Sequence, residues 1–139
     1  MDAAKILITG GSGYVGSHCV VELLENNFNI IVIDNLVNSI RLDGDPLPES
    51  IRRAQQITGK NIDKFYNGTT EDAELLDKIF IENSPIDVVL NFAALKSVAE
   101  SVQQPLRYYR SNVGGSITLL TAMEKYGVKK FIFSSSATV

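Results

Sequence analysis

Three glycines at the spacing Gly10-x-x-Gly13-x-x-Gly16 follow the apolar run Ile6-Leu7-Ile8 and open a helical pattern. A chain built this way must leave a strand by a tight turn and enter a helix at once. Gly10 permits the turn, Gly13 leaves the backbone open to an approaching diphosphate, and Gly16 lets the helix pack close to the sheet. The unpaired N–H groups of the first helical turn, with the helix dipole, favour an anion there. Such a triplet also occurs in ordinary turns. Its place between strand and helix, with an aspartate at a suitable distance, gives it weight here.

That aspartate is Asp34, at the carboxyl end of the next apolar run, Ile30-Ile31-Val32-Ile33. In a dinucleotide-binding unit a carboxylate about 20 residues past the glycines accepts hydrogen bonds from the adenosine ribose hydroxyls. It would repel a 2′-phosphate, and the nearest arginine, Arg41, stands across a loop. The pair of features points to NAD rather than NADP.

The rest of the chain alternates strand and helix. Strands are expected at 5–9, 29–34, 63–66, 87–91 and 130–134, and helices at 13–26, 51–58, 71–82 and 105–126, with a polar loop over 35–48. On the first helix Val15, Cys19, Leu23 and Leu24 read as the core side, with His18 at the rim. On the last, Leu106, Tyr109, Val113, Ile117 and Leu120 form one stripe. Gly114-Gly115 inside that helix costs roughly 2 kcal/mol relative to two alanines, which suggests close packing there. This rhythm indicates parallel βαβ units. The expected fold is α/β, a Rossmann-type doubly wound parallel sheet of order 3-2-1-4-5, one incomplete domain over 1–139.

After the fourth strand, Phe92-Ala93-Ala94-Leu95-Lys96 lets a loop of small residues pass close to a ligand. Lys96 is the cation nearest that edge, suited to a ribose, a diphosphate or a substrate, or simply to solvent. Hydroxyls at Ser134-Ser135-Ser136 and Thr138 follow the fifth strand toward the same crevice as the glycine turn.

Bulk composition narrows the classes. The 139 residues are 45% hydrophobic and 21% charged, with net charge −3, an ordinary globular balance of one-domain length. No run of lysine or arginine exceeds two residues, which argues against nucleic acid or an anionic membrane as partner. No apolar run approaches the ~20 residues of a membrane span. One cysteine and one histidine make neither a disulfide nor a Cys/His metal site, so no metal is expected. The first strand begins too early to leave room for a signal peptide, and a cytoplasmic protein is expected. Asn67-Gly68-Thr69 then reads as a turn rather than a glycosylation site.

Taken together, 9–18, Val32-Ile33-Asp34-Asn35, Leu47-Pro48-Glu49-Ser50-Ile51-Arg52-Arg53, 92–96 with Glu100-Ser101-Val102-Gln103, and 133–139 resemble the extended short-chain dehydrogenase/reductase family. Within it the similarity is to the UDP-hexose 4-epimerases, over essentially the whole chain. The resemblance implies an enzyme in which NAD accepts a hydride from C4 of a UDP-hexose and returns it to the other face, interconverting UDP-glucose and UDP-galactose. It implies that Gly13, Tyr14 and Val15, flanked by Gly10 and Gly16, meet the NAD diphosphate. Asp34, Asn35, Leu36, Val37 and Asn38 would meet the adenosine ribose. Phe92 and Lys96 would flank the nicotinamide side, with Asn112 a further polar neighbour. Ser136, Ala137 and Thr138, with Lys96, would approach the sugar, Ser136 as the catalytic hydroxyl. A homodimer is implied for full-length members, through helices that include the 105–126 segment.

The sequence departs from the family in three places. After the third strand the family has an aspartate followed by an apolar residue for the adenine; here the pair is Thr69-Thr70, so adenine contact is expected to differ. Asn91 replaces a common histidine. The Tyr-x-x-x-Lys pair that acts as base and acid is expected beyond Val139. The match at Tyr126-Gly127-Val128-Lys129-Lys130 straddles an expected helix end, whereas the chemistry needs both side chains one turn apart on one face. This chain alone is therefore expected to be inactive, with an exposed sheet edge beside the fifth strand. Two other readings are a nucleotide-sugar dehydratase fragment, disfavoured because Ala137-Thr138 stand where an Asp-Glu pair is needed, and a non-catalytic NAD-binding module.

Overall fold

Residues 3–136 are described in a computed structural model of the chain. Five parallel strands form one sheet in the order β3-β2-β1-β4-β5. They are β1 (Lys5–Thr9), β2 (Asn29–Asp34), β3 (Lys64–Asn67), β4 (Val88–Asn91) and β5 (Lys130–Phe133). The helices are α1 (Tyr14–Glu25), α2 (Glu49–Thr58), α3 (Ala73–Glu82), α4 (Val98–Gln103), α5 (Pro105–Tyr108) and α6 (Gly115–Lys125). The order and the doubly wound arrangement are those the sequence predicts. The strand order reverses between β1 and β4, which opens a crevice at their carboxyl ends.

Strand residues alternate between two cores, because successive side chains point to opposite faces. Ile6, Ile8, Ile30, Val32 and Leu90 pack with Val20 and Leu24 of α1 and Ile51 and Ala54 of α2. Leu7, Ile31, Ile33 and Val89 pack on the other face with Leu76, Ile79 and Phe80 of α3 and Leu119, Ala122 and Met123 of α6. Strands covered on both faces read as unbroken apolar runs, which is why β1 and β2 carry them.

The first helix buries Gly16, Val20 and Leu24; Leu24 is as expected, while Gly16 and Val20 stand one residue after the expected Val15 and Cys19. Cys19 and Leu23 pack against the core only in part, and Val15 is 54% exposed. The reason lies at Gly16: a Cβ there would run into the Gly10 carbonyl oxygen. The helix therefore meets the sheet through its glycine, and Val15 turns outward.

The expected 105–126 helix starts and ends near its predicted bounds but holds a π-helical stretch, Tyr109–Gly114, between α5 and α6. Its stripe of Leu106, Tyr109, Val113, Ile117 and Leu120 is exposed throughout, with Leu106 at 80%. The buried face is Gly115, Leu119, Ala122 and Met123. Gly115 is the tight point, since a Cβ there would lie 2.6 Å from Thr70 Oγ1, whereas Gly114 has no such neighbour. Helix α4 lay unpredicted inside the loop after β4. Its signal is the Ser97-Val98-Ala99-Glu100 start, where Ser97 Oγ accepts from the Glu100 N–H at 3.3 Å.

Among the described residues strand β5 pairs only with β4, and Ile132 and Phe133 are more than half exposed, so this edge is open as expected. Among the described residues no helix is long and apolar enough to cross a membrane.

The carboxyl end of α1 is closed by a residue from beyond α2. Lys60 Nζ donates to Leu24 O at 2.9 Å, Glu25 O at 3.0 Å and Asn27 Oδ1 at 2.7 Å. A cation on the last carbonyls opposes the negative end of the helix dipole. Lys60→Met keeps the aliphatic stem and removes all three bonds. Chemical denaturation is expected to show a loss of about 1 kcal/mol; an unchanged midpoint and slope would remove this role.

Candidate dinucleotide site

The carboxyl ends of the strands open into one cavity of about 580 Å³. Its floor is the glycine turn. Gly10 has φ +67°, and a Cβ there would meet the Ala93 nitrogen at 2.7 Å, so this turn and the loop after β4 touch backbone to backbone. A Cβ on Gly13 would meet only the Gly10 oxygen, at 3.4 Å; Gly13 instead faces the cavity. Of the three glycines, two are required by the fold and one leaves room.

The first bond of α1 runs from Ser17 N–H to Gly13 O at 2.9 Å, and no side chain caps the helix. The N–H groups of Tyr14, Val15 and Gly16 therefore have no intrahelical acceptor, and all three residues line the cavity. Three unpaired donors with a helix dipole behind them form a cradle for an anion. His18 lies beside this entrance, its ring 4.8 Å from that of Tyr14 and its Nδ1 2.8 Å from Tyr14 O.

Asp34 stands at the next strand end. Its Oδ2 accepts from Ser12 N–H at 3.0 Å and its Oδ1 from Leu36 N–H at 2.8 Å. A carboxylate offers about four lone-pair sites, so each oxygen keeps capacity for a ligand hydroxyl. Leu36 does not line the cavity. Its φ is +63°, and its contribution is the backbone N–H that orients Asp34. Asn35, Val37 and Asn38 do line it, as does Ser39, which the sequence did not single out.

Beside β2 in the sheet, Thr69 and Thr70 after β3 line the same cavity. Thr69 Oγ1 accepts from Glu71 N–H at 3.3 Å, and Asp72 is occupied as the cap of α3, accepting from Leu75 N–H at 3.0 Å. No carboxylate from this loop lines the cavity.

The loop after β4 brings Phe92 and Lys96 to the same space. It is held at both ends. Thr9 Oγ1 and Asn91 Oδ1, both buried, share a short hydrogen bond, and Ala93 N–H donates to Thr9 Oγ1 at 3.3 Å. Asn91 thus ties β4 to β1 and takes no part in the lining. Further on, Asn112 accepts from Leu95 N–H at 2.8 Å and donates to Leu95 O at 2.9 Å. It does so from inside the π-helical stretch. The Asn112 and Gly114 carbonyls there accept from Ser116 Oγ at 2.6 Å and Thr118 Oγ1 at 3.0 Å. Asn112 lines the cavity and clamps the loop that carries Lys96.

Ser134, Ser135 and Ser136 enter from the end of β5. Ala137 and Thr138 lie outside the described residues. Tyr126 is the C-cap of α6 and Lys130 begins β5, so that Tyr-x-x-x-Lys match does not form a helical pair. Tyr108, a lining residue missed in the sequence, accepts from Ser97 N–H and donates to Glu100 Oε2, each at 3.0 Å. Among the described residues no group of His, Cys, Asp and Glu is placed to hold a metal ion.

The NAD dependent epimerase/dehydratase family matches residues 6–139. The UDP-glucose 4-epimerase of Pasteurella multocida is 54% identical over 134 residues, which are 96% of this chain and 37% of that protein. The Homo sapiens UDP-glucose 4-epimerase is 50% identical over 137 residues, 99% of this chain and 38% of its own length. Among solved structures, UDP-glucose 4-epimerase from Bifidobacterium longum in complex with NAD+ and UDP aligns with a TM-score of 0.85 at 43% identity. That alignment covers 98% of this chain and 38% of the solved one. The chain thus spans well under half the length of the relatives it matches.

Proposed function

Since the chain belongs to the NAD dependent epimerase/dehydratase family, we propose that it is the NAD-binding portion of a UDP-hexose 4-epimerase that interconverts UDP-glucose and UDP-galactose. The observation that carries this reading is convergence. The glycine turn, Asp34, Lys96 and Ser136 come from four strand ends and line one cavity.

The residues fit the cofactor. The free N–H groups of Tyr14, Val15 and Gly16 hold the diphosphate, and Gly13 lets it approach. Asp34 takes the adenosine ribose hydroxyls with Asn35 and Asn38 beside it. Thr69 and Thr70 face the adenine with neutral hydroxyls. Lys96, on the loop fixed by Asn112, meets the nicotinamide ribose and the sugar side, against Phe92. Bound NAD supplies the hydride acceptor for C4 of the hexose. Ser136, followed by Ala137 and Thr138, meets the sugar, with the serine hydroxyl on the C4 oxygen. The exposed stripe of Leu106, Tyr109, Val113, Ile117 and Leu120 supports self-association through this helix, as a homodimer.

A second reading follows from Tyr126 and Lys130. They form the sole Tyr-x-x-x-Lys in these 139 residues, and the helix ends between them. Among the described residues Tyr126 and Lys130 therefore form no positioned proton-transfer pair, a contribution of typically ~10²–10⁴-fold. Acting alone, the chain binds NAD without turning over sugar.

Calorimetric titration is expected to show NAD+ binding at least about ten-fold tighter than NADP+, since a 2′-phosphate meets the Asp34 carboxylate. Equal or tighter NADP+ binding would overturn the assignment of Asp34. A purified sample is expected to leave UDP-galactose unconverted; measurable UDP-glucose would refute the second reading. In sedimentation the chain is expected as a dimer that Ile117→Glu turns into a monomer, and a monomeric unsubstituted chain would count against the helix face.

A further inference from the structure

Ser50 lies outside the cavity lining, on the first turn of α2. Its hydroxyl donates to the carbonyl oxygen of Ser12 at 2.8 Å. Ser39 Oγ donates to the same oxygen at 3.1 Å and stands 2.9 Å from Ser12 Oγ. Each hydroxyl has one hydrogen. With that of Ser39 on the carbonyl, Ser12 Oγ is the donor to Ser39. The Ser12 N–H is meanwhile engaged by Asp34, and Ser12 is only 4% exposed. Both peptide groups flanking Ser12 are therefore held by side chains, one from β2 and the other from α2 and its preceding loop.

The start of α2 is itself fixed. Glu49 N–H donates to Ile40 O at 2.8 Å, and Ile51 is fully buried. The peptide that Ser50 grips leads directly into Gly13 and the unpaired donors of Tyr14, Val15 and Gly16. A donor set ordered before the ligand arrives loses less freedom on binding than one ordered by it.

We propose that Ser50 is a positioning residue for dinucleotide binding: by holding the Ser12 carbonyl from α2, it fixes the Ser12–Gly13 peptide and so aims the first-turn N–H groups at the diphosphate. This rests on the dinucleotide reading above. It also joins the ribose-side loop, through Ser39, to the diphosphate-side turn at one oxygen atom.

The test is titration of NAD+ into the unsubstituted chain, Ser50→Ala, Ser50→Thr and Thr58→Ala, with amide exchange on the ligand-free proteins. Ser50→Ala is expected to weaken NAD+ about five-fold, the scale of one net hydrogen bond. It is also expected to speed exchange at Gly13, whose N–H belongs to the gripped peptide and donates to Gly10 O at 3.2 Å. Ser50→Thr restores both. Thr58→Ala removes another α2 hydroxyl-to-carbonyl bond, from Thr58 Oγ1 to Ala54 O at 2.9 Å, and is expected to leave affinity unchanged. If Ser50→Ala does not fold, Ser50→Cys, of similar size with a weaker donor, carries the comparison and is expected to show the same direction of change. Unaltered affinity in the Ser50 variants, or an equal loss in Thr58→Ala, overturns the positioning role while leaving the dinucleotide reading intact. Absence of NAD+ binding by the unsubstituted chain overturns both, and shows before any substitution is compared.

Discussion

Between β1 and α1 the backbone folds back so closely that the Gly10 carbonyl occupies the space of a side chain at Gly16, while Gly10 itself presses on Ala93. Every distance at the carboxyl edge is measured from that contact. It sets how near α1 lies to the sheet, hence where its first-turn donors point, and how near the loop after β4 comes to the turn. The contact is steric rather than attractive. Its strength comes from the cores on either side, which press α1 and α3 onto the same sheet, and its geometry comes from the absence of two Cβ atoms.

Polar interactions then lock what sterics place. Asp34 holds one face of the turn and its own following loop, Ser39 and Ser50 hold the other, and the buried Thr9–Asn91 pair joins the central strands where they end. Each backbone partner they satisfy would otherwise be a part-buried donor or acceptor without a protein partner. The site thus has a hydrogen-bonded floor, and its charged lining residues, Asp34 and Lys96, come from the ends of the two strands that flank β1.

Much of this was legible in the sequence because it rests on local rules. Doubly covered strands announce themselves as apolar runs, the glycine spacing marks the turn, and an aspartate at a strand end marks a carboxylate on the cavity wall. The features that escaped depend on relations between distant segments. The first turns of α1 meet the core one residue later than expected because a glycine, invisible to an apolar periodicity, is the contact point. The stripe from Leu106 to Leu120 has perfect helical spacing, yet the helix is apolar on two faces and the sheet took the other one. The π-helical turn at Tyr109–Gly114 gives no sequence signal of this kind, although it carries the Asn112 clamp. Ser39 and Ser50 are small hydroxyls in a polar stretch, and only their meeting at Ser12 O gives them meaning. Leu36 shows the reverse: its backbone serves the site and its side chain does not.

Gly115 shapes the cavity wall from behind. Its missing Cβ is what allows Thr70 Oγ1 to sit where it does, so the orientation of a hydroxyl inside the cavity is decided by a residue on a helix whose opposite surface looks outward. One methyl group at position 115 would compel that hydroxyl to rotate, changing the donor and acceptor pattern of the wall without altering any residue that lines the cavity. Positions 70 and 115 are thus sterically coupled: a side chain at 115 is accommodated only with a changed rotamer or a smaller residue at 70.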